Sequence, residues 1–225
     1  MNKYFLPYDI YERHKKVAQF VSNNETVLDI GGELNHLTQF CSPKKIIVAN
    51  LNTGDVIITK DKIPFSHHSF DVVCSIDVLE HIPKNKRANF INNLVAIARK
   101  RVILSFPIGT KEHNEYEKKM ELFLKKQSFS VTYLKEHIRY GLPQKEEIEE
   151  IVKNSKSLMV YSGNIKLNEL LFKIFIFDPK IKYVRRAVYV LKNVFNLITN
   201  YFLYLFLNQK PFSRSINRAY LIIYK

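Results

Sequence analysis

Residues Glu25 to Phe40 read "ETVLDIGGELNHLTQF", a β-branched apolar run that meets a glycine pair and then a stretch with helical character. In an open parallel sheet, ligands bind beyond the carboxyl ends of the strands. Glycine there lets the backbone approach the ligand, and the next helix offers free N–H groups. Gly31 and Gly32 meet the first requirement. A dinucleotide fingerprint also needs glycines two and five positions after the first, where this chain has Glu33 and His36, and Asn35 also lies in the turn. Glu33 would repel a diphosphate, whereas a cationic or zwitterionic ligand would be attracted by it.

Outward from this turn, four compact apolar runs read as strands buried on both faces: Thr26 to Ile30, Lys45 to Asn50, Asp71 to Ile76 and Arg101 to Phe106. Between the last two, Phe90, Ile91, Leu94, Val95, Ile97 and Ala98 recur at helical spacing. Strand, helix, strand implies parallel neighbours. A charged, helix-rich region follows Pro107 as far as about Lys156. Ser157 to Gly163 then reads as a sixth strand and Arg218 to Lys225 as a terminal one.

With 225 residues, 46% hydrophobic and 25% charged, the chain suits one α/β domain over 1–225 with an elaboration. Cys41 and Cys74 lack a metal-ligand spacing, and the N-terminus lacks the apolar core of a secretory signal, so a reducing, cytoplasmic setting is expected. A formal charge of +14 favours an anionic partner without choosing among nucleic acid, an acidic membrane and a phosphorylated substrate.

The segment Ile63 to Pro83, "IPFSHHSFDVVCSIDVLEHIP", resembles the signature of class I S-adenosylmethionine-dependent methyltransferases of the small-molecule and glycan-associated branch. "VLDIGG" resembles that family's first motif. The resemblance implies a Rossmann-like seven-stranded sheet with an antiparallel last strand, here with a helical insertion before it. The implied cofactor is S-adenosyl-L-methionine. Asp29, Gly31 and Gly32 match the motif that holds its methionine portion. Asn50 matches the position of the acid that accepts from the ribose hydroxyls, and an amide there removes charge assistance worth on the order of 1 kcal/mol. Asp61 matches the acceptor for the adenine amino group, and Asp77 the residue facing the sulfonium end.

Methyl transfer from a sulfonium requires alignment and, for a hydroxyl or amine acceptor, one base. His81 and His113 are the candidates, as imidazoles titrating near neutrality. Simpler readings stand beside them: Glu80 complements a helix dipole, and His113 with Glu117 forms a solvated helix face. His67 and His68 have no third ligand nearby, and no metal site is expected.

Residues 166–215 form an insertion crowded with aromatic and basic residues. Ala187 to Leu207 is long enough to cross a bilayer, but Lys192, Asn193, Asn196, Thr199 and Asn200 fall on one helical stripe. The segment therefore reads as an amphipathic helix, serving as a lid over the substrate cleft or as an interfacial element whose Arg185, Arg186, Lys192 and Lys210 meet anionic headgroups. In the second case the protein is peripheral on the inner face of the membrane. The expected activity is methyl transfer to a small or carrier-linked acceptor, a sugar or lipid-linked intermediate, with oxygen preferred. Nucleic acid is not the expected substrate, because the fourth strand ends in "SIDVLEH" rather than an NPPY-like run. A nucleic-acid methyltransferase and a non-catalytic binding protein remain the alternatives, and the oligomeric state is left open.

Overall fold

The computed structural model describes residues 2–59, 62–127 and 132–225. Its centre is a seven-stranded sheet: β1 (Thr26–Ile30), β2 (Lys45–Asn50), β3 (Val56–Ile57), β4 (Phe70–Ile76), β5 (Ala98–Pro107), β6 (Lys156–Ser162) and β7 (Arg218–Tyr224). The spatial order is β3-β2-β1-β4-β5-β7-β6. Every pairing from β3 to β5 is parallel, while β7 runs antiparallel to both β5 and β6. This is the sheet expected from the sequence. The strand order reverses between β1 and β4, so ligands are expected beyond their carboxyl ends.

Both faces of the sheet are covered. Leu28, Ile30, Val73, Leu104 and Leu221 pack on one side with Ile91, Leu94 and Ile97 of α2 (Lys84–Ile97). Val27, Val72, Cys74, Ile103 and Tyr220 pack on the other with Val17 of α1 (Tyr8–Ala18). Each central strand thus presents apolar residues to both layers, which explains why its sequence is a continuous run rather than an alternation. The remaining helices are α3 (Lys111–Lys126), α4 (Thr132–Tyr140), α5 (Lys145–Val152), α6 (Ile165–Ile176) and α7 (Lys182–Leu207).

Three boundaries differ from the sequence reading. The helix expected after the glycine turn is only a 3-10 turn at Leu37–Gln39. A link of about 14 residues joins β1 to β2, and Pro43 near its end disfavours helical backbone at the residue before it. Ala98, read as part of the helical face, instead opens β5 and pairs with Phe70. The two-residue β3 has no counterpart among the apolar runs.

Arg87 of α2 is fully buried and joins the two helical regions that flank β5. Its Nη1 lies 3.1 Å from Glu147 Oε2 on α5, its Nε donates to the carbonyl of Ile82 at 3.0 Å, and its Nη2 donates to the carbonyl of Gly141. Truncating one partner of a buried pair strands the other charge. Arg87→Ala is therefore expected to lower the unfolding free energy by about 3–5 kcal/mol in a urea titration. A change below 1 kcal/mol would show that Glu147 finds water or another partner.

Candidate active site

The turn after β1 shows why two glycines stand there. Gly31 has φ 80°, and an added Cβ would lie 2.2 Å from Val78 Cγ2. At Gly32 an added Cβ would lie 2.1 Å from Asp29 Oδ2. Asn35 takes φ 66°, a left-handed conformation that asparagine tolerates better than most residues. Glu33 is exposed, with its carboxylate 3.6 Å from His36 Nε2. The turn therefore keeps a cramped backbone with one Gly-Gly pair, and Glu33 and Asn35 occupy positions that need no further close approach.

Asp29 lies beneath this turn, fully buried, and neither of its carboxylate oxygens has a hydrogen-bond partner. Burial alone pushes its pKa up to about 7. An orphaned acid beside backbone that can approach a ligand fits a group carrying an ammonium, which would restore the missing donors. Asp29, Gly31 and Gly32 are thus suited to hold the amino-acid end of S-adenosylmethionine.

Asn50 has a task that an acid could not perform. Its Nδ2 donates to the carbonyls of Gly32 (2.9 Å) and Gly31 (3.2 Å), and its Oδ1 accepts from the Leu51 N–H at 2.6 Å. The amide braces the glycine turn from β2, and a second Oδ1 lone pair remains for a ligand hydroxyl. Asp61 lies outside the described residues.

Beside the turn is a cavity of about 540 Å³ that Glu33 borders. Asp77, Glu80, His81, His113, Glu117 and His137 line its inner wall. Phe172 and Phe175 of α6, with Phe195 and Asn196 of α7, close it from above. The sequence reading brought Asp77, His81 and His113 to this place. It missed Arg13, Arg218 and His137 as cavity residues, which arrive from α1, β7 and α4, and it expected Glu117 of α3 on a solvated helix face.

Asp77 does not present a free carboxylate. It ends β4 with φ 55° and is bound by Arg13 and Arg218; Arg218 Nη2 donates to Oδ2 at 3.2 Å. Despite burial, the two guanidiniums hold its carboxyl well below the usual range. Its charge is already matched, which weakens it as a partner for a sulfonium.

Glu80 is 1% exposed and one of its carboxylate oxygens has no partner. Burial and then the Asp77 charge push its carboxyl pKa upward, so it is a cavity-wall acid rather than a surface residue balancing a helix dipole. The solvated face expected for His113 and Glu117 is also absent. Both are buried, at 3% and 4% exposure. His113 Nδ1 lies 2.9 Å from the Ile108 carbonyl, and burial pushes its pKa down to about 4. His113 is neutral at pH 7 and a weak proton acceptor. His81, part-buried with its pKa lowered by burial, lies 2.8 Å through Nδ1 from Glu136. His137 Nδ1 lies 2.7 Å from Glu117.

No family model matches the chain, and no curated protein does. Solved structures do. A methyltransferase from Thermotoga maritima, described as S-adenosylmethionine-dependent and a possible histamine N-methyltransferase, superposes with a TM-score of 0.56 at 11% identity, over 99% of this chain and 93% of that one. An S-adenosylmethionine-dependent methyltransferase from Archaeoglobus fulgidus gives 0.53 at 11% identity, over 97% and 94%. The cyclopropane synthase MmaA2 of Mycobacterium tuberculosis gives 0.50 at 12% identity, over 96% and 83%. The described residues have the class I methyltransferase fold.

The raised pKa of Asp29 has a signed consequence. Its carboxyl titrates higher folded than unfolded, so the stabilisation relative to a free carboxyl is full below pH 4 and is lost as pH rises through about 7. Asp29→Asn should therefore raise the stability of the ligand-free protein at pH 8 by about 2–4 kcal/mol while weakening ligand binding. Denaturant titrations at pH 3.5, pH 5 and pH 8 check this, because the gain should fall to less than half at pH 5 and nearly vanish at pH 3.5. An equal effect at all three values would show that Asp29 is not held protonated by burial.

Proposed function

We propose that this protein is an S-adenosylmethionine-dependent methyltransferase acting on a small or carrier-linked acceptor, with oxygen as the preferred atom. The observation that carries the reading is the unpartnered Asp29 carboxylate under the Gly31-Gly32 turn, beside a cavity walled by imidazoles and carboxylates. S-adenosylmethionine supplies a methyl group already activated as a sulfonium, so the protein's contribution is alignment, exclusion of water and removal of the acceptor's proton. Asp29 and the glycine turn fix the amino-acid end, and Asn50 keeps the turn closed. The acceptor lies under Phe172, Phe175 and Phe195. Its proton passes to the His81 and His137 side of the cavity, where neighbouring carboxylates stabilise a charged imidazole; His113, with its low pKa, serves better as a hydrogen-bonding neighbour.

Binding of S-adenosylmethionine or S-adenosylhomocysteine tests this directly. At a ligand concentration near 100 Kd the native state gains about 2.7 kcal/mol, equivalent to a rise in Tm of about 5–10 °C for a domain of this size. No shift with either ligand, and no calorimetric heat, would favour a non-catalytic protein on the same fold.

The outer surface of α6 and α7 supports a lipid-linked acceptor. Among the described residues α7 is the one helix long and apolar enough to cross a membrane by length and composition, with 26 residues, mean hydropathy 1.3 and 11% of its apolar window buried. Its polar stripe faces the domain. Asn196 Nδ2 donates to the Phe5 carbonyl at 3.0 Å and Asn200 Nδ2 to the Leu6 carbonyl at 2.9 Å. Leu191, Val194, Ile198, Phe202, Leu205 and Phe206 are consequently left exposed. Lys180, Lys182, Arg185 and Arg186 cluster at the N-terminal end of the helix. An apolar face of this length with basic residues at one end and tyrosines interspersed matches an anionic bilayer surface. Because the stripe is tied to the domain, the helix lies on the bilayer instead of crossing it.

The full chain is expected to sediment with vesicles containing anionic lipid, to lose that binding at high salt, and to bind less tightly when Arg185 and Arg186 are both replaced by glutamate. A dimer in solution without vesicle binding would assign the face to a second copy. Displacement by nucleic acid without vesicle binding would promote the nucleic-acid reading.

A further inference from the structure

The tripeptide Glu-His-Ile occurs twice, at Glu80-His81-Ile82 and at Glu136-His137-Ile138, and the fold brings the two copies face to face. His81 sits on the turn after β4 and His137 on α4, with ring centroids 4.8 Å apart at an interplanar angle of 50°. Each ring is engaged through Nδ1 by a carboxylate from another part of the chain: Glu136 for His81 at 2.8 Å and Glu117 for His137 at 2.7 Å. A carboxylate accepting from Nδ1–H fixes that tautomer and leaves Nε2 as the nitrogen with a lone pair.

That lone pair is unused on His137, whose Nε2 is buried without a partner, and one oxygen of Glu80 is in the same condition. His137 is 7% exposed and Glu80 1%. Two polar atoms stranded in one buried corner call for a shared partner. The candidate ligand atoms of Glu80, His81 and His137 all lie within 4.8 Å of one another. In a tetrahedral site, ligands about 2.1 Å from a common ion stand about 3.4 Å apart, so capture requires a contraction of up to about 1.4 Å, supplied by side-chain rotation.

We infer that Glu80, His81 and His137 form a binding site for a divalent transition-metal ion, with Glu117 and Glu136 as the outer carboxylates that orient the two imidazoles. Two imidazoles and one carboxylate suit zinc or another first-row divalent ion better than magnesium or calcium, which prefer all-oxygen sites. The charge balance agrees. Arg13 pairs with Asp77 and Asp9 and Arg218 with Asp77 and Glu12, whereas Glu80, Glu117 and Glu136 place three carboxyl groups beside the two imidazoles. All three proposed ligands line the 540 Å³ cavity. Three protein ligands leave coordination positions open on that side, where an acceptor hydroxyl can bind and have its pKa lowered. The site deepens the methyltransferase reading by replacing the two imidazoles as proton acceptors: with an ion in place they are ligands, and the acceptor's proton leaves to solvent from a hydroxyl whose pKa the ion lowers; metal binding stands independently of that reading.

The test uses the untagged full chain, stripped with chelator and titrated with Co²⁺ and, separately, Zn²⁺. Metal content should reach one ion per chain, and the Co²⁺ protein should show ligand-field absorption that Zn²⁺ abolishes by displacement. His137→Ala and Glu80→Gln should each remove that absorption. Glu117→Gln should keep the stoichiometry but weaken affinity ten- to a hundredfold, as expected when an outer carboxylate is lost. S-adenosylhomocysteine calorimetry on the same samples separates the two proposals: intact cofactor binding without an ion sinks the metal site alone, and an ion without cofactor binding sinks the methyltransferase reading alone. Failure to retain an ion in the parent protein, or a Co²⁺ spectrum unchanged in both Glu80→Gln and His137→Ala, would overturn the inference.

Discussion

Asp77 carries its carboxylate between two guanidiniums, Arg13 from α1 and Arg218 from β7, at the point where the central strand ends. Its left-handed backbone costs about 1–2 kcal/mol for a residue with a Cβ, and charge-assisted hydrogen bonds offset that cost. The cluster extends further. Arg218 also donates to Ser105 Oγ at 3.0 Å and lies 3.8 Å from Glu12, which accepts from the Tyr220 hydroxyl. Removing Asp77 would leave two guanidiniums without their shared carboxylate. The N-terminal helix, the end of β4 and the antiparallel strand between β5 and β6 are therefore held in one relative position. The cavity wall inherits that rigidity, because Glu80 and His81 follow Asp77 within four residues.

What the sequence disclosed depended on whether a pattern had one physical solution. A continuous β-branched run between turn residues can be buried only as a central strand, so β1, β2, β4 and β5 were visible. β3 makes two residues of pairing with β2 and carries too few apolar positions to mark itself. The glycine pair was legible because backbone with φ 80° admits little else, but the helix expected after it is only the 3-10 turn Leu37–Gln39, with Pro43 disfavouring helical backbone before β2. At the site, residues close to the strand ends could be placed. The spacing of His113 and Glu117 put them on one face of a helix without saying whether that face turns inward. His137 was missed, although the repeated Glu-His-Ile was available as a signal. Its partner lies 56 positions away, and only the packing of α4 against the turn after β4 joins them.

The polarity of α7 is an instructive case of the same limit. The asparagine stripe was evident in the sequence, and the usual expectation for a helix on a soluble domain is that the apolar face turns inward. Here the N-terminal segment reverses it. Residues 3–7 form a single 3-10 turn and an extended stretch, whose carbonyls at Phe5 and Leu6 lie against α7. Leaving such buried acceptors unpaired would cost about 1–3 kcal/mol each. Asn196 and Asn200 supply the donors, and Tyr204 packs beside them against Leu6, Tyr8 and Tyr11. Local hydrogen-bond demand thus selects the inward face.

The consequence extends to the roof of the cavity. α6 is anchored on its inner side by Phe172 and Ile176 against Met120, Leu124 and Leu134, while α7 is anchored through Asn196, Asn200 and Tyr204. The pair therefore has two apolar aspects. One contributes Phe172, Phe175 and Phe195 to the cavity; the other carries Leu170, Phe177 and the exposed residues of α7 outward. Phe175 belongs to both, lining the cavity while 52% exposed. A water-soluble acceptor would gain nothing from an apolar surface continuous across the edge of the roof. An acceptor attached to a lipid would, because its chain could remain against hydrocarbon or aromatic side chains while the polar head reaches the imidazoles. At about 25 cal/mol per Å² of apolar area kept from water, even a few methylenes held in this way would favour the lipid-linked form over the free head group.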